Sequence, residues 1–396
     1  MSVRLSRRAA SLTPSSTAAV GRAAKALAAK GVDVVDFGVG EPDFATPEFV
    51  GRAGVSAIER GLTKYTDNAG EPGLREAIAE KYRREQGAAC AIGNVVVTAG
   101  AKQAVFNVCQ ALFQEGDEVV VFSPYWVSFP EIVRLAGAEP ILAPSTLESG
   151  WKPTAAALER AATARTRGVI LNSPNNPSGA VVETSELEKI LAFCRKRQAF
   201  LLFDETYDRF LYDGRRHISA AHYTRDYGDL VVVTGAASKT WAMTGWRLGW
   251  VLGPLELSTA ISGYQSHSTS NASSISQEAA RAALTDLESS DASVGLMLAE
   301  YAKRREVMVR GLLSLPGVRC SKPEGAFYAF ADMSAFFSHK GVRGSAAFCE
   351  KLLSEAHLAA VPGDAFGADS CVRFSYATAL PRIEEGLRRL ARWLSG

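Results

Sequence analysis

Four short apolar runs divide the middle of the chain, and each of them ends in a cluster of small or polar residues. The runs cover residues 95–98, 169–171, 200–203 and 230–233. Runs of this length that are rich in valine, leucine and phenylalanine predict strands buried on both faces of a sheet. Because ligands of an open α/β sheet bind outside the carboxyl ends of its strands, we expect the four clusters to meet in one crevice.

Helical patterns surround this predicted sheet. The longest covers residues 291–315, where apolar residues recur at helical spacing around a basic face. After Gly317, strand-like runs at 326–330 and 372–376 alternate with further helical patterns. The pattern predicts an α/β protein in which a mostly parallel central sheet, flanked by helices, forms a large domain beside a smaller α+β domain.

The predicted domains are discontinuous along the chain, and 396 residues are enough for both of them. We expect residues 46–315 to form the large domain, with 291–315 as a connecting helix. Residues 15–45 and 316–396 are expected to form the small domain together.

Composition excludes several classes of protein. With 44 basic and 42 acidic residues, the formal charge of +2 gives no electrostatic reason to expect a nucleic acid or a membrane surface as a partner. No stretch approaches the roughly 18 consecutive apolar residues of a membrane-spanning helix. The six cysteines are scattered without metal-ligand spacing, which favours reduced thiols, no metal and a cytoplasmic protein.

Lys239 is placed where chemistry is expected, just after the apolar run 230–233. A lysine in a loop is ordinarily solvated, and that is the alternative here. This one is surrounded in sequence by Trp241, Trp246 and Trp250. Removal of water from the amine would lower its pKa and make it a nucleophile.

A helix predicted to start near Ala101 follows the run 95–98. The N–H groups of Gly100, Ala101 and Lys102 are then expected to point beyond the strand end, where the helix dipole favours an anion. This arrangement predicts a phosphate site.

The remaining clusters add an acid, a phenol and an amide. Asp204 closes a buried strand, and a carboxylate in that position needs a cationic partner. Tyr207 follows it, and Asn176 lies in a turn-rich segment after the run 169–171. A lysine, an acid and a phosphate anchor are what an enzyme that uses pyridoxal 5′-phosphate requires.

Arg373 and Gly40 are candidates for binding an anionic substrate. An arginine inside an apolar strand is costly unless its guanidinium meets an anion, and its fork matches a carboxylate. The alternative is an internal ion pair with Asp or Glu. Gly40 can bring its backbone N–H close to a ligand, or it is an ordinary turn glycine.

Ten stretches of the chain together carry a family resemblance. They are GEPDF from Gly40, YTDNAGEPGLREAI from Tyr65, TAGAKQA from Thr98, PYWVSFPE from Pro124, NSPNNPSG from Asn172, DETY from Asp204, SKTWAMTGWRLGW from Ser238, PEGAFY from Pro323, VPGDAFG from Val361 and VRFSYAT from Val372. The chain resembles the fold-type I, class I aminotransferases. It is most similar to the bacterial aspartate aminotransferases and to the aspartate/prephenate aminotransferase subgroup.

The resemblance implies pyridoxal 5′-phosphate as cofactor and a ping-pong transfer of an amino group to a 2-oxo acid. It gives Lys239 the covalent attachment of the cofactor and the movement of the Cα proton. Asp204 would keep the pyridine nitrogen protonated. Tyr207 and Asn176 would bind the 3′-oxygen of the cofactor, and Trp126 would stack on the face of its ring. The residues implied to bind the cofactor phosphate are Ser238, Arg247, Gly100, Ala101 and Lys102. Those implied to bind the substrate are Arg373, Gly40, Trp126 and Asn176.

The resemblance also implies a homodimer with shared active sites. Tyr65 would reach the phosphate bound by the other subunit, and residues 1–14 would form an arm that crosses the dimer. Residues 12–17 would form a loop near the substrate.

Substrate choice is expected to depend on Lys102 and Thr17, which match the pattern of the aspartate/prephenate subgroup. They predict aspartate and glutamate as donors, 2-oxoglutarate and oxaloacetate as acceptors, and prephenate as a further acceptor. Lys102 has the alternative role of adding positive charge near the phosphate. Thr13 departs from the pattern, because some members of the subgroup have a basic residue there.

Other reactions are compatible with the same fold. An aromatic or broad-specificity aminotransferase, a β-lyase or a cyclopropane-forming synthase would share the cofactor residues. A cofactor-sensing domain of a transcription regulator is a third class, but it needs a DNA-binding module, and none is recognisable before Val34.

Overall fold

A computed structural model describes residues 3–10, 12 and 16–396. Thr13, Pro14 and Ser15 of the predicted substrate loop lie outside the described residues. The strands are β1 (Val35–Asp36), β2 (Val95–Thr98), β3 (Glu118–Ser123), β4 (Glu139–Pro144), β5 (Thr166–Asn172), β6 (Phe200–Asp204), β7 (Val231–Ala236), β8 (Gly249–Leu252), β9 (Arg319–Cys320), β10 (Tyr328–Asp332), β11 (Leu358–Ala359), β12 (Val361–Pro362) and β13 (Cys371–Ser375).

Seven of these strands form the central sheet, in the order β2-β8-β7-β6-β5-β3-β4. The strands run parallel except β8, which is antiparallel to both of its neighbours. Every residue of β2, β3 and β7 is buried, as expected for strands covered on both faces. The fold is therefore the mostly parallel α/β sheet that the apolar runs predicted.

Helices cover this sheet and connect its strands. They are α1 (Arg7–Ala10), α2 (Ser16–Ala28), α3 (Glu48–Glu59), α4 (Pro72–Gln86), α5 (Ala101–Leu112), α6 (Ser128–Leu135), α7 (Ala155–Ala161), α8 (Thr184–Arg197), α9 (Thr224–Tyr227), α10 (Ala237–Thr240), α11 (Leu255–Ser266), α12 (Ser274–Thr285), α13 (Leu287–Leu313), α14 (Gly344–Ala356) and α15 (Leu380–Ser395).

Local signals explain where individual helices begin and end. In α4, the side chain of Glu71 accepts a hydrogen bond from the Leu74 N–H at 2.9 Å, and Gly87 ends the helix in the left-handed conformation. The long helix α13 begins four residues before the predicted residue 291. It does so because Asp286 accepts a hydrogen bond from the Ser289 N–H at 3.1 Å and caps the helix there.

Two smaller sheets lie outside the central one. Strand β1 pairs with β11 in parallel, and β12, β13, β10 and β9 form an antiparallel sheet in that order. Their strands come from residues 35–36 and 319–375, whereas the central sheet uses residues 95–252. On this distribution we propose the division into a small domain and a large domain; its boundaries stay a prediction.

Helix α15 packs closely against β1 at Gly386. A Cβ added there would lie 2.3 Å from Phe37 Cζ and 2.9 Å from Val35 Cγ1. We expect Gly386→Ala to lower the free energy of unfolding by about 1 to 3 kcal/mol, because the core must shift to accept the methyl group. Denaturant unfolding measures the loss.

Gly263→Ala is the matched control, since a Cβ on this exposed glycine of α11 meets nothing within 4 Å. It should raise stability slightly through helix propensity. Equal stability for the two variants would contradict the packing argument.

Candidate active site

A cavity of about 520 Å³ opens at the carboxyl ends of β5, β6 and β7. All the predicted site residues except Gly100 and Tyr65 line it: Thr17, Gly40, Ala101, Lys102, Trp126, Asn176, Asp204, Tyr207, Ser238, Lys239, Arg247 and Arg373. Residues that are far apart in the sequence therefore share one cavity.

The register of the sheet surrounds Asp204 with hydrogen-bond donors. Asp204 ends β6, opposite Asn172 of β5 and Thr234 of β7. Its carboxylate accepts hydrogen bonds from Thr206 Oγ1 at 2.7 Å, from Asn172 Nδ2 at 3.3 Å and from Thr234 Oγ1 at 3.4 Å. These bonds fix the carboxylate at the floor of the cavity.

The same carboxylate is buried without a cationic partner. Asp204 is 5% exposed, and within the described part of the chain it forms no ion pair at 4.0 Å or less. Burial raises the pKa of Asp204 to about 6, although the hydrogen bonds from Thr206 act in the opposite direction. A cation bound in the cavity would stabilise the ionised form.

Lys239 reaches the cavity from α10, which directly follows β7. Its Nζ donates a hydrogen bond to the Gly40 carbonyl oxygen at 2.5 Å. Burial lowers the pKa of Lys239 to about 8, and the charges of Arg373 and Arg247 act in the same direction, while Glu41 opposes them. A larger share of this amine is therefore deprotonated near neutral pH than in an ordinary lysine.

The three tryptophans near Lys239 in the sequence do not line the cavity. The indole N–H of Trp241 donates to Ser290 Oγ at 2.7 Å, and that of Trp250 donates to Tyr82 Oη at 3.0 Å. They hold the segment that carries the lysine.

Tyr328 is a cavity residue for which no role was predicted, although it ends the quoted stretch PEGAFY. Its hydroxyl lies 2.8 Å from that of Tyr207, and its ring lies 4.4 Å from the guanidinium of Arg373. Burial raises the pKa of Tyr207 well above its ordinary value, so this phenol stays protonated at neutral pH. The tyrosine pair connects the predicted phenol to the predicted carboxylate clamp.

Arg373 is almost fully buried and faces the cavity without an acidic partner. Its guanidinium donates to Asn176 Oδ1 and to the Gly38 carbonyl oxygen, both at 2.9 Å, while its Nε has no hydrogen-bond partner. Among the residues that the structure describes, no carboxylate lies within 4.0 Å of it. The alternative role of Arg373, an internal ion pair, is therefore absent within the described residues. A bound carboxylate suits its guanidinium instead.

The start of α5 lies at the cavity, where the sequence predicts a phosphate cradle. The N–H groups of Ala101 and Lys102 lie in the first turn of the helix at the cavity wall. The N–H of Gly100 was expected to point toward the bound anion. It donates instead to the Thr98 carbonyl oxygen at 2.8 Å. Arg247 lies directly beside this turn: a Cβ on Gly100 would come 2.5 Å from its Nη2. The cradle combines helix N–H groups with one guanidinium.

Lys102 extends from this cradle across the cavity. Its Nζ lies over the Trp126 ring, 4.9 Å from the centroid. Burial of the amine lowers the pKa of Lys102, and the nearby charge of Arg247 lowers it further. The ammonium and the indole thus form one wall of the cavity.

Tyr65 lies outside this arrangement. Its side chain is 89% exposed and does not line the cavity of its own chain. The structure of one chain therefore does not bring Tyr65 to the site.

The part of the lining that comes from α2 and β1 was not predicted beyond Thr17. Helix α2 adds Gly21 and Lys25 to the lining, and β1 adds Asp36. The four-residue spacing of Thr17, Gly21 and Lys25 is a helical signal, yet nothing local to the sequence shows which face of α2 meets the cavity.

These residues fit pyridoxal 5′-phosphate. The buried carboxylate of Asp204 lacks a cation, the amine of Lys239 has a lowered pKa, and helix N–H groups with Arg247 suit a phosphate. Among the described residues, no group of three or more His, Cys, Asp or Glu is arranged to hold a metal ion. The fold and the cavity define an enzyme of the fold-type I class that uses pyridoxal 5′-phosphate.

The chain belongs to the family described as aminotransferase class I and II, whose model matches residues 32–390. It is an aminotransferase, and pyridoxal 5′-phosphate is its cofactor. Within the described residues, no helix is long and apolar enough to span a membrane.

Curated relatives and solved structures match over nearly the whole chain. The probable aspartate/prephenate aminotransferase of Aquifex aeolicus is 42% identical over 390 residues, which are 98% of each chain. A structure of the Thermus thermophilus aspartate aminotransferase with maleate has a TM-score of 0.94 at 41% identity and covers 99% of this chain and 100% of that one. The aspartate aminotransferase of Rhizobium meliloti gives a TM-score of 0.93 at 38% identity, covering 100% and 99%.

The lowered pKa of Lys239 predicts how the cofactor-free protein takes up pyridoxal 5′-phosphate. Only the deprotonated amine attacks, so we expect the rate of covalent attachment to rise with pH around a midpoint of about 8. Cofactor absorbance after mixing reports the rate. A midpoint near the ordinary 10.5 would contradict the buried environment, and Lys239→Arg, the control, should attach no cofactor.

Proposed function

We propose that this aminotransferase acts on dicarboxylic substrates, with aspartate and glutamate as donors, 2-oxoglutarate and oxaloacetate as acceptors, and prephenate as a further acceptor. The observation that carries the proposal is a pair of cations that line one cavity from different elements, α5 and β13. Arg373 is buried without an acidic partner in the described chain, and Lys102 extends over Trp126. The first suits the α-carboxylate of a substrate, and the second suits a carboxylate on its side chain. The names of the relatives, which are aspartate and aspartate/prephenate aminotransferases, support aspartate and prephenate among these substrates.

The bound cofactor supplies an electron sink for the negative charge that develops at the substrate Cα. Lys239 anchors it and moves the Cα proton, roles for which one flexible amine of lowered pKa is suited. Asp204 holds a proton on the pyridine nitrogen, because a cation there would stabilise its buried carboxylate.

The remaining residues bind and orient. Ala101, Lys102, Ser238 and Arg247 hold the phosphate together with the turn at Gly100, and Trp126 covers the ring. Tyr207 and Asn176 bind the 3′-oxygen. Arg373 takes the α-carboxylate, assisted by Gly40, whose carbonyl oxygen already accepts from Lys239.

The proposal includes a homodimer with shared active sites. Tyr65 is 89% exposed on its own chain, and an exposed tyrosine is free to contact a phosphate bound by a second subunit. The proposed location is the cytoplasm, in keeping with six cysteines that are all free thiols.

Replacement of Asp204 tests the electron sink. We expect Asp204→Ala and Asp204→Asn to slow removal of the substrate Cα proton by roughly 100-fold or more, because neither side chain can keep the ring nitrogen protonated. Asp204→Glu keeps the charge and should be far milder. Single-turnover mixing with Cα-deuterated aspartate isolates this step. An unchanged rate in Asp204→Asn would show that the carboxylate has another role.

Lys102→Ala tests the dicarboxylate assignment, measured with a panel of amino donors and 2-oxo acids. For aspartate, glutamate and 2-oxoglutarate, kcat/KM should fall by about 1 to 3 kcal/mol in activation free energy, the usual cost of losing a hydrogen bond to a charged group. Alanine and phenylalanine should change little, because they have no distal carboxylate.

The matched control is Lys303→Ala, which removes an exposed lysine of α13 outside the cavity lining. An equal loss for every substrate in Lys102→Ala would instead place this lysine on the phosphate. A wild-type enzyme that turns over aromatic donors as well as aspartate would favour the broad-specificity alternative.

A further inference from the structure

The wall formed by α2 has a polar face with no role in the function proposed above. Thr17, Gly21 and Lys25 line the cavity at four-residue intervals, which places them on adjoining turns of one side of the helix. Asp36 of β1 also lines the cavity, and its carboxylate accepts a hydrogen bond from the Gly38 N–H at 2.7 Å.

Lys25 is a cavity cation without an ion pair. In the part of the chain that the structure describes, no carboxylate oxygen lies within 4.0 Å of its amine. The other basic residues of the lining, Lys102, Lys239, Arg247 and Arg373, each have a proposed ligand. Lys25 alone among these described cations is unassigned.

Asp36 is electrostatically coupled to two cations of the cavity. Burial raises the pKa of Asp36, while the Gly38 N–H and the charges of Arg373 and Lys25 lower it. The carboxylate of Asp36, beside the proposed clamp Arg373, repels the distal carboxylate of a bound substrate if that distal carboxylate lies near Asp36. Lys25, whose charge also acts on Asp36, lines the same cavity and attracts a distal carboxylate that reaches it.

The cavity is open beside α2 at Gly21. A Cβ added at Gly21, between Thr17 and Lys25 on the helix, would meet nothing within 4 Å. Lys102 lies on α5 rather than on α2, with its amine over Trp126. The two lysines therefore line the cavity from different helices.

We propose that Lys25 is a second specificity-determining residue, which binds the distal carboxylate of dicarboxylic substrates longer or bulkier than 2-oxoglutarate, including ring-bearing ones. The proposal rests on the dicarboxylate function assigned to Arg373 and Lys102. A ping-pong enzyme binds its donor and its acceptor in turn in the same cavity. Two lysines, Lys102 and Lys25, would therefore let substrates with side chains of different length bind with their α-carboxylate at the same residue, Arg373.

Unreactive dicarboxylates of increasing length test the proposal by binding alone. The holoenzyme is titrated with succinate, glutarate, adipate and pimelate, and the change in cofactor absorbance gives each Kd. We expect Lys25→Met to weaken adipate and pimelate about three- to tenfold, the range for losing a charged contact at a partly exposed site, and to leave succinate and glutarate within about twofold.

Two further variants make the result specific. Lys30→Met removes the same charge from an exposed lysine just beyond α2 that does not line the cavity, and it should leave all four ligands unchanged. Lys25→Arg keeps the cation and should restore much of the binding of adipate and pimelate. Lys102→Ala should show the reverse selectivity and weaken succinate and glutarate most.

Equal weakening of all four ligands in Lys25→Met would overturn the proposal, since Lys25 would then only offset the charge of Asp36. An effect no larger than that of Lys30→Met would overturn it as well. In both cases the dicarboxylate function would still stand if the wild-type enzyme bound succinate and transaminated aspartate. A wild-type holoenzyme that bound none of the four would instead refute that function.

Discussion

The cavity depends on charged groups that are buried without their natural partners. Asp204 at 5% exposure and Arg373 at 2% are both costly to bury, and neither forms an ion pair within the described chain. Their hydrogen bonds offset part of this cost. In the proposed function a bound cation and a bound carboxylate offset the rest, so burial that costs folding stability makes the cavity complementary to its ligands.

The parallel sheet explains how these groups come together. Adjacent parallel strands end at the same edge, so Asn172, Asp204 and Thr234 lie side by side as direct consequences of register. The antiparallel strand β8 then places Gly249 against the start of α5, where a Cβ would come 2.6 Å from the Ala101 nitrogen. One edge of one sheet therefore supplies the acid, the segment that carries the lysine and the packing for the phosphate cradle.

Much of this was predictable because it is local in the sequence. The four apolar runs predicted strands β2, β5, β6 and β7 of the central sheet, and the clusters after them indicated Asp204 and Lys239. The rest depends on contacts across long separations. The bond between Tyr207 and Tyr328 joins residues 121 positions apart, and which face of α2 meets the cavity is decided by packing on β11 and β12. The N–H of Gly100 turns toward Thr98, a detail of backbone geometry that a strand-to-helix pattern does not specify.

Electrostatics also limits how one cavity can serve two substrates. An aminotransferase must hold every α-carboxylate in the same position relative to the amine that moves the Cα proton, so with the proposed roles Arg373 does not distinguish donors from acceptors. Discrimination then depends on charges farther along the side chain, where Lys102 and Lys25 are the proposed attracting groups and Asp36 repels a carboxylate that stops beside it. In that case the length of a substrate is selected by charge as well as by shape.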